Sequence, residues 1–249
     1  MKAAPALLIA FALAAAAPMP ALASQDAAST DELVMSSDAF LAAHPDLRFR
    51  LSALRRYRDG DFEKAFIHFK RAARYADKPS QGMIAEMLWK GEGVPMDRPA
   101  AYIWMDLAAE RGYTQMLLRR ETFWNDMSEA EREQALAIGD ELFLEYADKY
   151  AKPRAEQKMR LGKRQTTGSR TGFTGNLTIV IPTPGGSRTI DGSTYYDEKY
   201  WEPRRYWQMQ DGDWKGPPTG TVSIGELQSG DLSAPPTDDA AGDEDDSPR

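Results

Sequence analysis

The chain has 249 residues, 31 of them basic and 38 acidic, with two histidines and no cysteine. Lack of cysteine excludes disulfides, thiolate metal sites and a cysteine nucleophile. A net charge of −7 argues against a general nucleic-acid binder. The charge is uneven: residues 231–249 hold seven acids against Arg249, a net −6, which leaves residues 24–230 at −2.

Lys2 opens an uncharged, Ala- and Leu-rich stretch from Ala3 to Ser24, broken by Pro18 and Pro20 and followed by Ala21-Leu22-Ala23. A charge, a short apolar core and small residues flanking a cleavage point read as a secretory signal peptide over 1–23. The uninterrupted part is too short to cross a membrane core of about 30 Å. The expectation is export to the periplasm or the extracellular space, with no membrane span after cleavage.

From Asp38 to Tyr150 apolar residues recur at helical spacing, which predicts helices near 38–44, 46–58, 62–76, 80–90, 98–111, 113–125 and 129–150. Asp61 and Asp97 are expected N-caps, and Ser128 with Glu131 forms a capping-box pattern. His44, just before Pro45, is placed to bond the last carbonyls of its helix. Residues 152–165 are predominantly basic (Lys152, Arg154, Lys158, Arg160, Lys163 and Arg164 against Glu156) and read as a linker. The same run would also suit anionic polymers or lipid headgroups. An aromatic-rich β/loop module is expected over 166–228, with strands at Leu177–Ile181, Ser187–Ile190 and Thr221–Ile224. The acidic end, 229–249, reads as disordered.

A self-similarity appears at an offset of 36. Asp61, Ala65, Ile67, Ala72 and Ala73 recur as Asp97, Ala101, Ile103, Ala108 and Ala109, and Phe66 recurs as Tyr102. Ala65, Phe69, Ala72 and Ala73 share one helix face, and small residues there admit a close neighbour. A two-helix unit of this kind must stack on copies of itself to bury its apolar face. The run Gly91-Glu-Gly-Val-Pro-Met-Asp97, then Ala101, Trp104, Ala108-Ala109 and Gly112, resembles the Sel-one-like repeat, a subclass of the tetratricopeptide-like helical repeats. Full agreement covers one unit, 78–112. In the unit before it the Trp position is His68 and the terminal Gly is Ala76. The resemblance implies a mainly α fold, an α–α superhelical repeat or short solenoid over 38–151, that holds other proteins together in a bacterial envelope.

No catalytic constellation assembles from the sequence, and no enzyme activity, cofactor or metal is expected. His68 takes the slot of Trp104 and reads as structural. Asp59-Gly-Asp61 and Asp211-Gly-Asp213 lack the further ligands of a calcium loop and read as turns. Gly168-Ser-Arg-Thr-Gly172 lacks the order of a nucleophile elbow. For a protein partner, the exposed charges of equivalent helices, Glu86, Lys90, Arg119, Arg120 and Glu121, are the candidate contacts. Reversing Arg119 and Arg120 is expected to weaken that contact and spare the melting temperature. The rival reading is an envelope glycan binder: seven aromatics between Tyr195 and Trp214 either form the core of their module or stack on sugar rings, with Tyr206 and Trp207 as the contacts.

Overall fold

The computed structural model describes residues 30–167, 177–183 and 186–215. The signal segment 1–23, the strand at 221–224, the glycine run 168–172 and the acidic end all lie outside these residues. The described chain is mainly helical with one small antiparallel sheet.

Two short helices, α1 (Thr30–Ser36) and α2 (Asp38–Ala43), precede α3 (Pro45–Arg58), which opens on Pro45 and ends at a turn where Gly60 has φ +79°. The helix α1 starts upstream of the expected helical region. Next come α4 (Phe62–Ala73), α5 (Lys78–Lys90), α6 (Arg98–Ala109) and α7 (Thr114–Asp126). The offset of 36 is reproduced in these boundaries: α4 and α6 have 12 residues each and start 36 apart, and α5 and α7 have 13 each with the same offset. The turns match as well, since Ala76 and Gly112 both take left-handed backbone, φ +65° and +75°.

Capping agrees with the sequence in part. Asp97 accepts from the Ala100 N–H at 3.0 Å, and Ser128 with Glu131 closes a full capping box on α8 (Glu129–Tyr146). Asp61 makes no side-chain cap; its carboxylate takes the Lys64 ammonium at 2.8 Å instead. A charged donor one turn away outcompetes the backbone N–H for the same oxygen.

The first core lies among α3–α8, around Phe69, Ile84, Leu107, Trp104 and Phe123, with the small faces Ala65/Ala73 and Ala101/Ala108/Ala109 admitting their neighbours. Gly93 shows how tightly the α5–α6 loop seats on the start of α4. A Cβ there would lie 2.5 Å from the Phe62 Cβ and 2.6 Å from its carbonyl carbon.

The expected helix 129–150 is divided. Ala147 is extended (ψ 152°), and α9 (Asp148–Thr167) leaves in a new direction. The expected basic linker 152–165 is therefore helix. Ala151, Ala155 and Met159 are buried, and Gly162 lies against Ala43, so close that a Cβ would sit 2.3 Å from the Ala43 Cβ. Small residues at helical spacing drive this packing; Lys158, Arg160 and Arg164 stay exposed, while Lys152 turns to Asp148 and Arg154 to the Arg74 and Glu145 carbonyls.

Strands β1 (Thr178–Thr183) and β2 (Gly186–Asp191) pair antiparallel, with Ile181 opposite Arg188 and Ile179 opposite Ile190. Three helices come next: α10 (Gly192–Tyr195), α11 (Glu198–Trp201) and α12 (Pro203–Lys215). Asp211-Gly-Asp213, expected as a turn, lies inside α12. Their aromatics form no module of their own. Tyr195, Tyr196, Tyr200, Trp201, Tyr206 and Trp207 make a second core with Val34, Phe40, Ala43 and Leu47 from the start of the chain and Ala151, Ala155 and Met159 from α9.

Candidate functional site

Asp77 starts α5 by accepting from the Ser80 N–H, and Gly91 ends it in left-handed backbone, φ +70°. With α7, which starts 36 residues later, this fixes the faces that carry the five expected charges. Three of them meet. Arg119 grips Glu86 with two N–H groups, and Lys90 approaches the same carboxylate at 3.4 Å. Burial raises the Glu86 pKa, but the Arg119 and Lys90 donors outweigh it and hold the group below its ordinary range. Beneath lie Trp89 and Phe123, stacked 4.0 Å apart, with the Arg119 guanidinium 4.5 Å above Phe123. Arg120 turns away to Asp106 at 2.9 Å and Glu121 at 2.7 Å.

These charges are therefore committed to one another rather than held in reserve. Reversing Arg119 would set a carboxylate against Glu86 and strip the cover from Phe123, so it is expected to lower the melting temperature rather than spare it. Lys90, 53% exposed and with a single contact at 3.4 Å, is the least committed of the five.

Tyr206 and Trp207 are not a contact surface. Tyr206 is fully buried and donates to Asp46 Oδ2 at 2.6 Å; burial, with the Asp46 charge, pushes its hydroxyl well above its ordinary pKa. Trp207 is 7% exposed, donates to Glu156 at 3.2 Å, and has Arg111 4.9 Å and Lys152 5.4 Å from its ring centre. They are consumed in joining α12 to α3 and α9, because so few aliphatics are available there.

The most charged arrangement was not anticipated from sequence. Lys78 has no exposed side-chain area, yet its ammonium reaches Glu110 at 2.7 Å, Asp148 at 3.2 Å, the Leu107 carbonyl at 2.8 Å and Gln81 at 3.0 Å. Arg111 forks onto Asp148 at 2.7 and 2.9 Å and donates to the Ala76 carbonyl at 2.8 Å. Lys152 adds a third cation on Asp148 at 2.9 Å, and Asp211 accepts from Tyr113 at 2.7 Å and meets Arg111 at 3.4 Å. Three cations thus balance Glu110, Asp148 and Asp211. Burial raises the Asp148 pKa, but Arg111 and Lys78 together hold the carboxyl far below its usual range; for Lys78 burial prevails and the pKa falls. The junction pins both left-handed turns, at Ala76 and Gly112, to α9 and α12. With Lys78 sealed from solvent it meets no substrate, so its work is structural. Nothing in the spacing of Lys78, Arg111 and Asp148 distinguishes them from surface charges.

His44 bonds the Phe40 carbonyl at 2.9 Å, as its place at the helix end suggested, and its other ring nitrogen lies 2.8 Å from the Tyr200 carbonyl. It stacks on Phe40 at 3.7 Å and is fully buried, which pushes its pKa below the ordinary value despite the Asp46 charge nearby. His68 is half-buried with its Nδ1 unpartnered, and burial lowers its pKa too, assisted by Arg56 and Arg71. Among the described residues, no group of three or more His, Asp or Glu is arranged to hold a metal ion.

No protein-family model, curated protein or solved structure matches this chain. No described helix is long and apolar enough to cross a membrane.

Proposed function

We propose that this is an exported, non-enzymatic protein whose helices form a short α–α superhelical repeat of the Sel-one-like kind and which acts by binding other proteins in the cell envelope. One observation carries the reading: successive helices repeat their lengths, starts and left-handed turns at the offset of 36 that the sequence motif predicts. A stack of hairpins offers extended helical faces rather than a closed cleft, and such faces suit protein surfaces. The glycan reading loses its intended contacts, since Tyr206 and Trp207 belong to the core.

The test is affinity capture on the full chain, immobilised and offered a bacterial envelope extract, beside a Lys90→Glu form that preserves the core. Proteins retained by the first and reduced on the second support the reading. Retention of cell-wall glycan with no protein above the bare matrix overturns it. Mass measurement of the exported chain checks export separately: the first residue should be Ser24, and an intact Met1 would remove the signal peptide.

A further inference from the structure

The first hairpin, α3–α4, is strongly basic in a chain that is acidic as a whole. Residues 45–74 hold nine basic and four acidic side chains. The exposed side of each helix shows the same order. On α3 it is Arg48, Leu51 and Arg55, at i, i+3 and i+7; on α4 it is Lys64, Ile67 and Arg71, at the same spacing. All six are exposed, Leu51 at 39% and Ile67 at 49%. Aromatic side chains join the two helices: Phe49 has the Arg48 guanidinium 4.7 Å and the Arg71 guanidinium 5.9 Å from its ring centre, with His68 at 6.2 Å and Tyr75 at 6.4 Å. Lys64 is paired with Asp61, but Arg48, Arg55 and Arg71 make no ion pair among the described residues. The buried His68 Nδ1 has no hydrogen-bond partner.

We infer that this face of α3–α4 is a docking surface for an acidic amphipathic helix of a partner protein. The inference rests on the protein-binding reading above and names the surface and the chemistry of its partner. Three features select that occupant. The unpaired guanidiniums call for carboxylates, which they bind in a planar fork. An aliphatic side chain between the cations of each row calls for apolar groups at helical spacing, which a bare polyanion lacks. Two adjacent helices present side-chain ridges between which the ridge of a third helix can pack.

The probe is a fluorescein-labelled peptide of repeated Glu-Glu-Leu-Leu, offered to the full chain and followed by fluorescence anisotropy. Poly-glutamate and phosphatidylglycerol vesicles serve as comparison ligands. Arg48→Glu with Arg71→Glu should weaken peptide binding roughly tenfold or more. Leu51→Ser with Ile67→Ser should weaken it as well, with circular dichroism of both forms like the parent. Poly-glutamate and vesicles should bind more weakly than the peptide. The inference is overturned if neither double variant changes binding, or if no form binds the peptide. It is also overturned if poly-glutamate or vesicles match the peptide, which makes the face a general anion surface. Self-association of the parent that the variants abolish would assign the face to a second copy. Peptide binding lost only on Lys90→Glu overturns this face while leaving the protein-binding reading intact, and envelope capture decides that reading independently.

Discussion

Asp148 and Lys78 occupy the same buried junction, yet their removal should have unequal consequences. In Asp148→Asn the side chain keeps its shape and loses its charge, leaving Arg111, 6% exposed, and the sealed Lys78 with Glu110 and Asp211 alone to balance three cations. Leaving a buried ion uncompensated costs about 3–5 kcal/mol. Lys78→Met removes the ion itself. Asp148 retains the Arg111 fork and Lys152, Glu110 is one-third exposed and can turn to water, and the Leu107 carbonyl still accepts from the Glu110 N–H. The desolvation recovered, several kcal/mol for one ion, offsets most of the lost attraction, so the net change should stay within ~2 kcal/mol. Urea denaturation followed by circular dichroism, with the slope checked for constancy, measures both. If Lys78→Met destabilises as much as Asp148→Asn, the junction is not organised around Asp148 and the reasoning fails.

Further expectations concern packing and pH. Trp104, 3% exposed against Tyr146 at 4.4 Å, should cost about 3–5 kcal/mol as Trp104→Ala, read from the thermal melt; a small change would place it outside the core. Gly93→Ala should combine about 1–2 kcal/mol of left-handed strain with about 1–3 kcal/mol of overpacking against Phe62. Gly112→Ala, with open space around its Cβ, should show the strain alone, so equal losses at the two positions would refute the loop seating. The lowered pKa of His44 means that the unfolded chain takes up the proton first as pH falls through 6.5. Stability should then drop with falling pH by up to ~1.4 kcal/mol per unit until the folded value is reached. His44→Gln should flatten that limb of a melting-temperature profile, leaving the contribution of the same sign that His68 makes; an unaltered profile would exclude His44 as its source.

The helices α3–α8 were readable because several signals agreed: apolar spacing, Asp97, the Ser128 box, and glycines at 91, 93 and 112 where positive φ is required. The chain beyond Tyr146 was harder to read. Pro153 inside α9 and a cationic surface masked a buried stripe built from Ala151, Ala155 and Gly162, residues that carry little hydrophobic signal. In α12 the closely spaced aromatics point to an independent module, because their partners lie far away in the sequence. Of the candidate contacts, exposure on a helix was legible for Lys90. The pairing of Glu86 with Arg119 was not, because the two lie 33 positions apart and meet only in the fold.

The second core has a consequence for the order of events in folding. Its walls come from opposite ends of the described chain: His44 meets the Tyr200 carbonyl across 156 positions, and Tyr206 meets Asp46 across 160. Contacts between α4, α5 and α6 span short loops and can form as soon as each hairpin is complete, whereas closing a loop of this length is entropically costly and slow. During synthesis from the first residue onward, Val34, Phe40 and Leu47 must wait, uncovered, for Trp201 and Tyr206 to arrive. A chain stopped after α9 would therefore be no shorter version of the same fold. It would keep its hairpins and present an unfilled apolar face at their edge, the state in which aggregation or capture by a chaperone is most expected.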